Sequence, residues 1–151
     1  MQIYRVTFIG HRCIEREYEL ENKIEEIIKN LIRTKEYVEI YMGRNGDFDI
    51  SAASAVKRAQ KALGKHNSSL ILVEPYSMKN DPFYEKYYDE VILPIDNKIH
   101  PKAAITKRNQ WMLDQADFLI CFVTRNAGGA YAALKYAEKQ KIGVFNLATI
   151  Q

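Results

Sequence analysis

The stretch from Phe118 to Tyr131 constrains the fold more than any other part of the chain. Its first part, 118–123, is continuously apolar, and so short an apolar run is typical of a central strand buried on both faces of a parallel sheet. A polar turn follows, and small and apolar residues then recur at helical spacing. Gly128 and Gly129 therefore lie where a strand passes into a helix. Such a pair is often only a tight connection, but it also lets an anion reach the unpaired N–H groups of a helix start.

Strand and helix patterns alternate along the whole chain. Apolar, β-branched and aromatic runs predict strands at 3–9, 37–42, 69–73, 90–93, 118–123 and 143–147. Helical spacing predicts helices at 15–34, 50–63, 81–88 and 101–116, and one after Gly129. This alternation predicts an α/β fold of the Rossmann-like kind, with a mostly parallel twisted sheet and helices on both faces.

Composition narrows the class of protein. The chain has 151 residues, which suits one domain over 1–151. Lys and Arg number 22 against 19 Asp and Glu, so the net charge of +3 is mild and makes nucleic acid an unlikely partner. Cys13 and Cys121 form no cysteine or histidine cluster, so we expect no disulfide framework and no metal site. No apolar run is long enough to span a membrane and no signal peptide is evident, so we expect a cytoplasmic protein, whether of a cell or of something that replicates inside one.

The predicted sheet gathers polar residues at one edge. Ligands of open parallel sheets bind beyond the carboxyl ends of the strands, near the point where the strand order reverses. The candidate ligand-binding residues at this edge are Gly10, His11, Arg12, Gly43, Arg44, Asn45, Gly46, Asp47, Asp49, Pro75, Tyr76, Thr124, Arg125, Asn126, Gly128, Gly129, Ala130 and Tyr131. Arg12, Arg44 and Arg125 suit a phosphate, because a guanidinium group binds oxyanions through two parallel hydrogen bonds.

Each of these residues also has a simpler structural role. Arg44 and Arg125 are equally consistent with solvated loop charges, and either Asp47 or Asp49 suits the N-cap of the second helix. His11 is as consistent with hydrogen-bonded scaffolding as with an acid or base. Tyr76 and Tyr131 suit stacking on a base or ordinary packing. Arg108 and Asn109 lie within a helix, where charged residues usually face solvent.

Several short motifs follow one another in a recognisable order. They are Phe8-Ile9-Gly10-His11-Arg12, Gly43-Arg44-Asn45-Gly46-Asp47-Phe48-Asp49 with Ala52-Ala53, Arg108-Asn109-Gln110-Trp111-Met112 with Asp114 and Asp117, and Gly128-Gly129-Ala130 with Lys135-Tyr136-Ala137. Over nearly its whole length the chain resembles the SLOG superfamily, and within it the small YpsA-like branch of Gram-positive bacteria and their phages. The resemblance implies a Rossmann-like fold with a nucleotide pocket formed by Gly10, Arg12, 43–49, Arg108, Asn109 and the Gly128-Gly129 turn.

The resemblance leaves two functional groups open, which are the LOG-type enzymes and the SLOG domains that sense nucleotide second messengers, including cyclic ADP-ribose-like signals in antiviral defence. The LOG-type enzymes of the superfamily cleave the N-glycosidic bond of nucleoside monophosphates and carry the motif Pro-Gly-Gly-x-Gly-Thr-x-x-Glu. Here the stretch from Ala127 to Leu134 keeps the glycine pair but lacks the third glycine, the threonine and the glutamate. Bond cleavage at a sugar usually needs a carboxylate. The remaining candidates for catalysis are His11, Asp47, Asp49 and Asp114.

We therefore expect binding rather than catalysis. The leading hypothesis is a protein that senses or sequesters an adenine nucleotide or an ADP-ribose-like or cyclic ADP-ribose-like signal, as in phage counter-defence. We expect it to need no further cofactor. Because a lone domain relays no signal by itself, we expect sequestration, or action through a partner or a homo-oligomer. The alternatives are a nucleoside-monophosphate N-glycosidase and a DNA-associated module like the DNA-processing members of the superfamily, the latter weakened by the mild charge.

Overall fold

The fold is given by a computed structural model that describes residues 1–15, 18–78, 81–96 and 98–149. Six strands form one sheet: β1 (Ile3–Gly10), β2 (Tyr37–Met42), β3 (Ser68–Val73), β4 (Glu90–Ile92), β5 (Phe118–Phe122) and β6 (Gly143–Asn146). The helices are α1 (Tyr18–Thr34), α2 (Asp47–Leu63), α3 (Asp81–Tyr87), α4 (Pro101–Gln115) and α5 (Gly128–Lys139), followed by a 3₁₀ turn at Leu147–Thr149. Among these residues no helix is long and apolar enough to cross a membrane.

The sheet is entirely parallel, and its order is β4-β3-β2-β1-β5-β6. The chain runs outward from β1 to the edge strand β4, and α4 then returns it to β5 on the other side of β1. The strand order therefore reverses between β1 and β5, and the carboxyl ends of all six strands meet at one edge. The predicted α/β Rossmann-like fold is confirmed.

Helices cover both faces of the sheet because successive strand residues point to opposite sides. Phe8, Ile40, Leu70 and Ile120 pack against α1 and α2 on one face, and the small residues of α2 allow close approach. Ile9, Ile71, Leu119 and Cys121 pack against α4 and α5 on the other face. The core is thus two apolar layers separated by a sheet that is buried on both sides.

The starts of two helices differ from the prediction. The predicted start of the first helix at residue 15 is wrong, since Glu15 lies outside α1, and 16–17 lie outside the described residues. The second helix begins at Asp47 rather than at residue 50, and its N-cap is Gly46. Asp47 and Asp49 therefore lie in the first turn, so the prediction that one of them is the N-cap is wrong. Carboxylates are still favourable there because they face the positive end of the helix dipole.

Candidate functional site

A cavity of about 240 Å³ lies at the carboxyl edge of the sheet, where the strand order reverses. Its wall combines the β1–α1 loop, the β2–α2 loop, the middle of α4 and the start of α5. The lining residues are Phe8, Ile9, Gly10, His11, Arg12, Gly43, Asn45, Gly46, Asp49, Ile105, Arg108, Asn109, Met112, Arg125, Gly128, Gly129 and Ala130. The topology rule and the structure thus indicate the same edge.

Arg108 forms the charged part of the α4 wall and is only 2% exposed. Its Nη1 donates to the Val73 carbonyl oxygen at 3.0 Å, its Nη2 to Oδ1 of Asn45 at 2.6 Å, and its Nε to Oδ1 of Asn109 at 2.8 Å. Burial lowers the pKa of the guanidinium from its ordinary value, and the negative charge of Asp49 opposes that shift. Among the described residues Arg108 forms no direct ion pair, so a buried positive charge is held by neutral acceptors.

The simpler alternative for Arg108, a helix charge that faces solvent, is therefore wrong, and the residue lines the cavity. Ala104, Arg108 and Met112 are spaced four residues apart and are all buried, so they share the face of α4 that packs on the sheet. Burial of Arg108 is tolerated because acceptors from β3 and the β2–α2 loop meet its nitrogens. The apolar neighbours at i−4 and i+4 were the signal in the sequence that could have indicated it.

The β2–α2 loop is tied together by Asn45. Its backbone N–H donates to Oδ2 of Asp49 at 3.1 Å, and its carbonyl oxygen accepts from Nε of Arg12 at 3.2 Å. Burial raises the pKa of Asp49 above its ordinary value, while the hydrogen bond from Asn45 and the positive charges of Arg108 and Arg44 oppose the rise. Asp49 is the carboxylate among the residues that line the cavity.

His11 connects the two loops that flank the reversal point. Its backbone N–H donates to the Phe122 carbonyl oxygen at 3.2 Å, and its Nε2 accepts from the Thr124 backbone N–H at 2.8 Å. Burial, and then the positive charge of Arg125, lowers the pKa of His11 from its ordinary value. Because Nε2 accepts this hydrogen bond, its lone pair is already used and the ring proton lies on Nδ1. This arrangement favours scaffolding over general base catalysis through Nε2.

The start of α5 is open toward the cavity. Gly128 has φ of 89°, a left-handed conformation that favours glycine, and the N-cap residue Ala127 makes no side-chain capping bond. A Cβ built on Gly128 or Gly129 would meet no atom within 4 Å. The first N–H groups of a helix have no partner within it, and this helix start lines the cavity at the positive end of the helix dipole, which is a favourable place for an anion.

The glycines on the opposite wall are surrounded by protein atoms. A Cβ on Gly10 would lie 2.7 Å from Cβ of Phe48, and one on Gly43 would lie 2.7 Å from Cζ of Arg108. A Cβ on Gly46 would lie 2.9 Å from the carbonyl carbon of Arg12. These three positions need glycine because neighbouring parts of the chain already occupy the space.

The structure brings most of the predicted site residues into the cavity wall. Those that line it are Gly10, His11, Arg12, Gly43, Asn45, Gly46, Asp49, Arg108, Asn109, Arg125, Gly128, Gly129 and Ala130. Sequence reasoning missed the apolar part of the wall, which consists of Phe8, Ile9, Ile105 and Met112. These four residues carried only packing signals, because strand and helix patterns do not show which core residues end at an open surface.

Other predicted residues lie outside the cavity wall. Arg44 donates from Nη1 to the Tyr88 hydroxyl at 2.9 Å, and Oδ2 of Asp47 accepts from the Ile14 N–H at 3.2 Å. Asp114 accepts from the Tyr136 hydroxyl at 2.7 Å. These contacts place Arg44 away from the predicted phosphate position and leave Asp47 and Asp114 in structural roles.

The remaining predicted residues surround the cavity without lining it. In the segment that follows β3, Pro75 is buried and Tyr76 is half-buried. Burial lowers the pKa of Arg108, and Tyr76 is among the groups that oppose this shift. Thr124 and Asn126 are exposed in the β5–α5 loop, and half-buried Tyr131 packs on the α5 side with Lys135 above its ring. Within the described ranges no group of three or more His, Cys, Asp or Glu residues is arranged to hold a metal ion.

Solved structures of DNA processing protein A from two bacteria share this fold. DNA processing protein A from Streptococcus pneumoniae superposes with a TM-score of 0.70 at 16% identity, over 95% of this chain and 50% of that one. DNA processing protein A from Helicobacter pylori, a protein that binds single-stranded DNA, gives a TM-score of 0.67 at 17% identity, over 95% of this chain and 64% of that one. The chain thus spans between half and two thirds of each. Neither a protein-family profile nor a curated protein sequence matches it.

The comparison corrects one prediction. We expected nucleic acid to be an unlikely partner because the net charge is mild, and that expectation is wrong, since a protein with this fold binds single-stranded DNA. Net charge was a poor guide because a cavity needs only a few local positive groups, whatever the whole chain carries. Membership of the YpsA-like branch stays a prediction. At the level of the fold, the chain has the Rossmann-like architecture that DNA processing protein A also has, and membership of the SLOG superfamily likewise stays a prediction.

Proposed function

We propose that this protein binds a nucleotide-derived small molecule, with its phosphate at the open start of α5. The observation that carries the proposal is the buried guanidinium of Arg108, which lines the same cavity as the unfilled Gly128-Gly129 turn and has no ion-pair partner among the described residues. A buried charge is costly unless an opposite charge compensates it. An incoming phosphate supplies that charge.

The size of the cavity favours one nucleotide unit. Ligand pockets commonly measure about 300–1,000 Å³, and this cavity of about 240 Å³ lies just below that range. An adenine mononucleotide therefore fits better than a complete ADP-ribose or its cyclic form. Arg12 and Arg125 are exposed and line the cavity, so their guanidinium groups are available to bind the phosphate. Asp49, which also lines the cavity, can accept hydrogen bonds from ribose hydroxyls.

The contacts favour binding over hydrolysis of the ligand. Nε2 of His11 is occupied by the Thr124 amide, and Asp47 and Asp114 hold other parts of the chain. Asp49 is the remaining carboxylate candidate, and its Oδ2 already accepts the Asn45 N–H. We therefore propose sensing or sequestration, with the N-glycosidase as the alternative that Asp49 keeps open.

Single-stranded nucleic acid is a second candidate ligand. The observation that favours it is the fold shared with the DNA-binding protein from Helicobacter pylori. The same cavity would then hold one nucleotide of a strand through the same phosphate contacts. The cavity would thus recognise one nucleotide, either free or as part of a strand.

Calorimetric titration with AMP, adenosine and inorganic phosphate tests the proposal. We expect AMP to bind and adenosine to bind at least about tenfold more weakly, since a charged hydrogen bond contributes about 1.5–3 kcal/mol. Gly129→Asp should abolish binding, because it adds a carboxylate at the phosphate position. Ala103→Asp is the matched control, since it adds the same group to an exposed position in the first turn of α4.

Three results would overturn this proposal. They are equal affinity for AMP and adenosine, AMP binding that survives in Gly129→Asp, and no binding of AMP at millimolar concentration. Chromatography of the titrated samples separates binding from hydrolysis. AMP recovered intact after denaturation supports sequestration, whereas free adenine identifies the N-glycosidase alternative.

A further inference from the structure

Four aromatic rings surround Arg44 on the outer side of the β2–α2 loop. Its guanidinium carbon lies 5.3–5.9 Å from the ring centroids of Phe83, Tyr84, Tyr87 and Tyr88. A positive group over a ring face is attracted by the ring's quadrupole, so Arg44 holds α3 against this loop. Arg44 lies between Gly43 and Asn45, which both line the cavity, so the aromatic cluster adjoins the cavity through a single loop.

Phe83 is the exposed member of this cluster. Its ring is stacked on that of Tyr87 with centroids 5.7 Å apart and an angle of 20° between the planes. Tyr84 and Tyr88 are buried, but Phe83 is 54% exposed. More than half of the Phe83 side chain therefore remains accessible for contact with another flat ring.

Positive groups continue from this stack along α2. Nζ of Lys57 donates to the Tyr87 carbonyl oxygen at 2.6 Å and lies 4.8 Å from the Tyr87 ring centroid. Lys61 follows one helical turn later on the same side of α2 and is exposed, and both lysines line a shallow groove of about 410 Å³. Lys86 offsets the charge of exposed Glu85 on α3.

The other positive residues of the groove are already engaged. Arg58 pairs with Glu21 and Glu25, and Lys65 pairs with Asp89. Lys57 and Lys61 thus remain as the groove's positive groups without a carboxylate partner among the described residues. A ligand that contacts the stack and this part of α2 together needs flat rings and negative charges in alternation.

We propose that the Phe83–Tyr87 stack and the Lys57–Lys61 side of α2 bind single-stranded nucleic acid beyond the nucleotide in the cavity. Bases stack on the exposed ring of Phe83, and phosphates lie along the two lysines. Stacking platforms beside positive grooves are how proteins bind single strands without sequence preference. The inference rests on the proposed function, since the cavity takes the first nucleotide of the strand.

Titration with 5′-phosphorylated oligothymidylates tests this surface. Their length increases from the mononucleotide to a strand of about ten nucleotides. The strand should bind more than about tenfold tighter than the mononucleotide. Phe83→Ala should weaken strand binding about tenfold, the effect of losing one stacked base, and leave mononucleotide binding unchanged. Tyr18→Ala is the matched control because Tyr18 is an aromatic residue, 79% exposed, at the start of α1.

A second variant tests the phosphate contacts. Lys61→Ala should reduce the slope of log affinity against log salt by about 0.7, the contribution of one phosphate contact on a single strand. Lys139→Ala, at the exposed end of α5, should leave the slope unchanged. Strand affinity that does not grow with length, or equal losses in Phe83→Ala and Tyr18→Ala, would overturn the inference. Strand binding that depends on Phe83 without any mononucleotide binding would instead overturn the cavity proposal alone.

Discussion

Two sets of glycines face the same cavity, and their surroundings differ. Gly10, Gly43 and Gly46 are packed against other parts of the chain, so a Cβ at any of them would collide with protein atoms. Gly128 and Gly129 have open space where a Cβ would be. The first set is explained by the folded chain itself. The second set leaves room that the protein does not fill, beside helix N–H groups that have an electrostatic preference for an anion.

This difference separates residues needed for folding from residues available to a ligand. In the first set, glycine is needed so that Phe48, Arg108 and the Arg12 backbone can approach. In the second set, Gly128 serves the backbone conformation, whereas Gly129 has neither a positive φ nor a close neighbour. Substitutions in the first set should therefore lower stability, and substitution of Gly129 should lower ligand affinity.

The largest effect is expected for Gly46→Ala. Its Cβ would collide with the Arg12 backbone, which cannot move as cheaply as the end of a flexible side chain. We expect the free energy of unfolding to fall by up to about 3 kcal/mol, as for overpacked sites, measured by urea denaturation. Unchanged stability would show that the packed set is not packed in solution.

Arg108→Met tests whether the buried positive charge beside the cavity contributes to AMP binding. Met keeps similar length but removes the donors to Val73, Asn45 and Asn109, and it removes the positive charge beside the cavity. AMP affinity should fall by about 1.5–3 kcal/mol, which corresponds to roughly 10- to 150-fold. Lys107→Met, at an exposed position on the same helix, is the control in the same calorimetric titration. If Arg108→Met and Lys107→Met bind AMP with equal affinity, Arg108 does not contribute to AMP binding.

Gly129→Ala tests the open set directly. Alanine favours helix over glycine, so the free energy of unfolding should stay the same or rise by up to about 1 kcal/mol. AMP affinity should nevertheless fall about tenfold, because the new methyl group enters the space that the phosphate needs. Thermal unfolding and calorimetry on the same sample measure both effects. If Gly129→Ala lowers the free energy of unfolding and leaves AMP affinity unchanged, Gly129 is needed for folding and not for ligand binding.

The smallest effect is expected for Asp49→Asn, and it depends on pH. Burial raises the pKa of Asp49 in the folded state, so its contribution to stability is present below pH 3.8 and is lost as the pH rises through the raised pKa. The asparagine variant lacks this loss and keeps an acceptor for the Asn45 N–H. Its stability relative to the wild type should therefore increase as the pH rises across that window, and then level off.

The same variant separates phosphate recognition from sugar recognition. Removing the negative charge should raise the affinity for inorganic phosphate, because Asp49 and the anion share one cavity. If Asp49 also binds ribose hydroxyls, the affinity for AMP should not rise in parallel. Parallel increases for both ligands would exclude Asp49 from sugar binding.

The sequence predicted the sheet, its parallel strands and the edge that carries the cavity. Continuous apolar strands such as 118–122 have no solvent-facing side, which leaves helices on both faces as the consistent arrangement. The edge then followed from topology, and with it the polar loops after β1, β2 and β5. These features depend on periodicity and chain order, which a sequence contains directly.

The sequence could not predict which polar residues are buried or engaged. Arg108 is buried because acceptors from β3 and the β2–α2 loop reach it, and these contacts are distant along the chain. Arg44 points away from the cavity because α3 provides aromatic rings on the other side. The sequence does not distinguish the two sets of glycines, because they differ only in the atoms that surround each Cα. Such tertiary contacts decide the chemistry of the cavity.

Amide NMR of the labelled protein during titration with AMP tests whether the phosphate binds at the start of α5. We expect the backbone N–H signals of Gly129 and Ala130 to shift most, because the phosphate approaches these groups. The signals of Gly10 and Gly43, which lie in the packed wall, should shift less, and adenosine should leave all four nearly unchanged. If the Gly129 and Ala130 signals stay unmoved at saturating AMP, or if the largest shifts lie away from α5, the phosphate does not bind at the start of this helix.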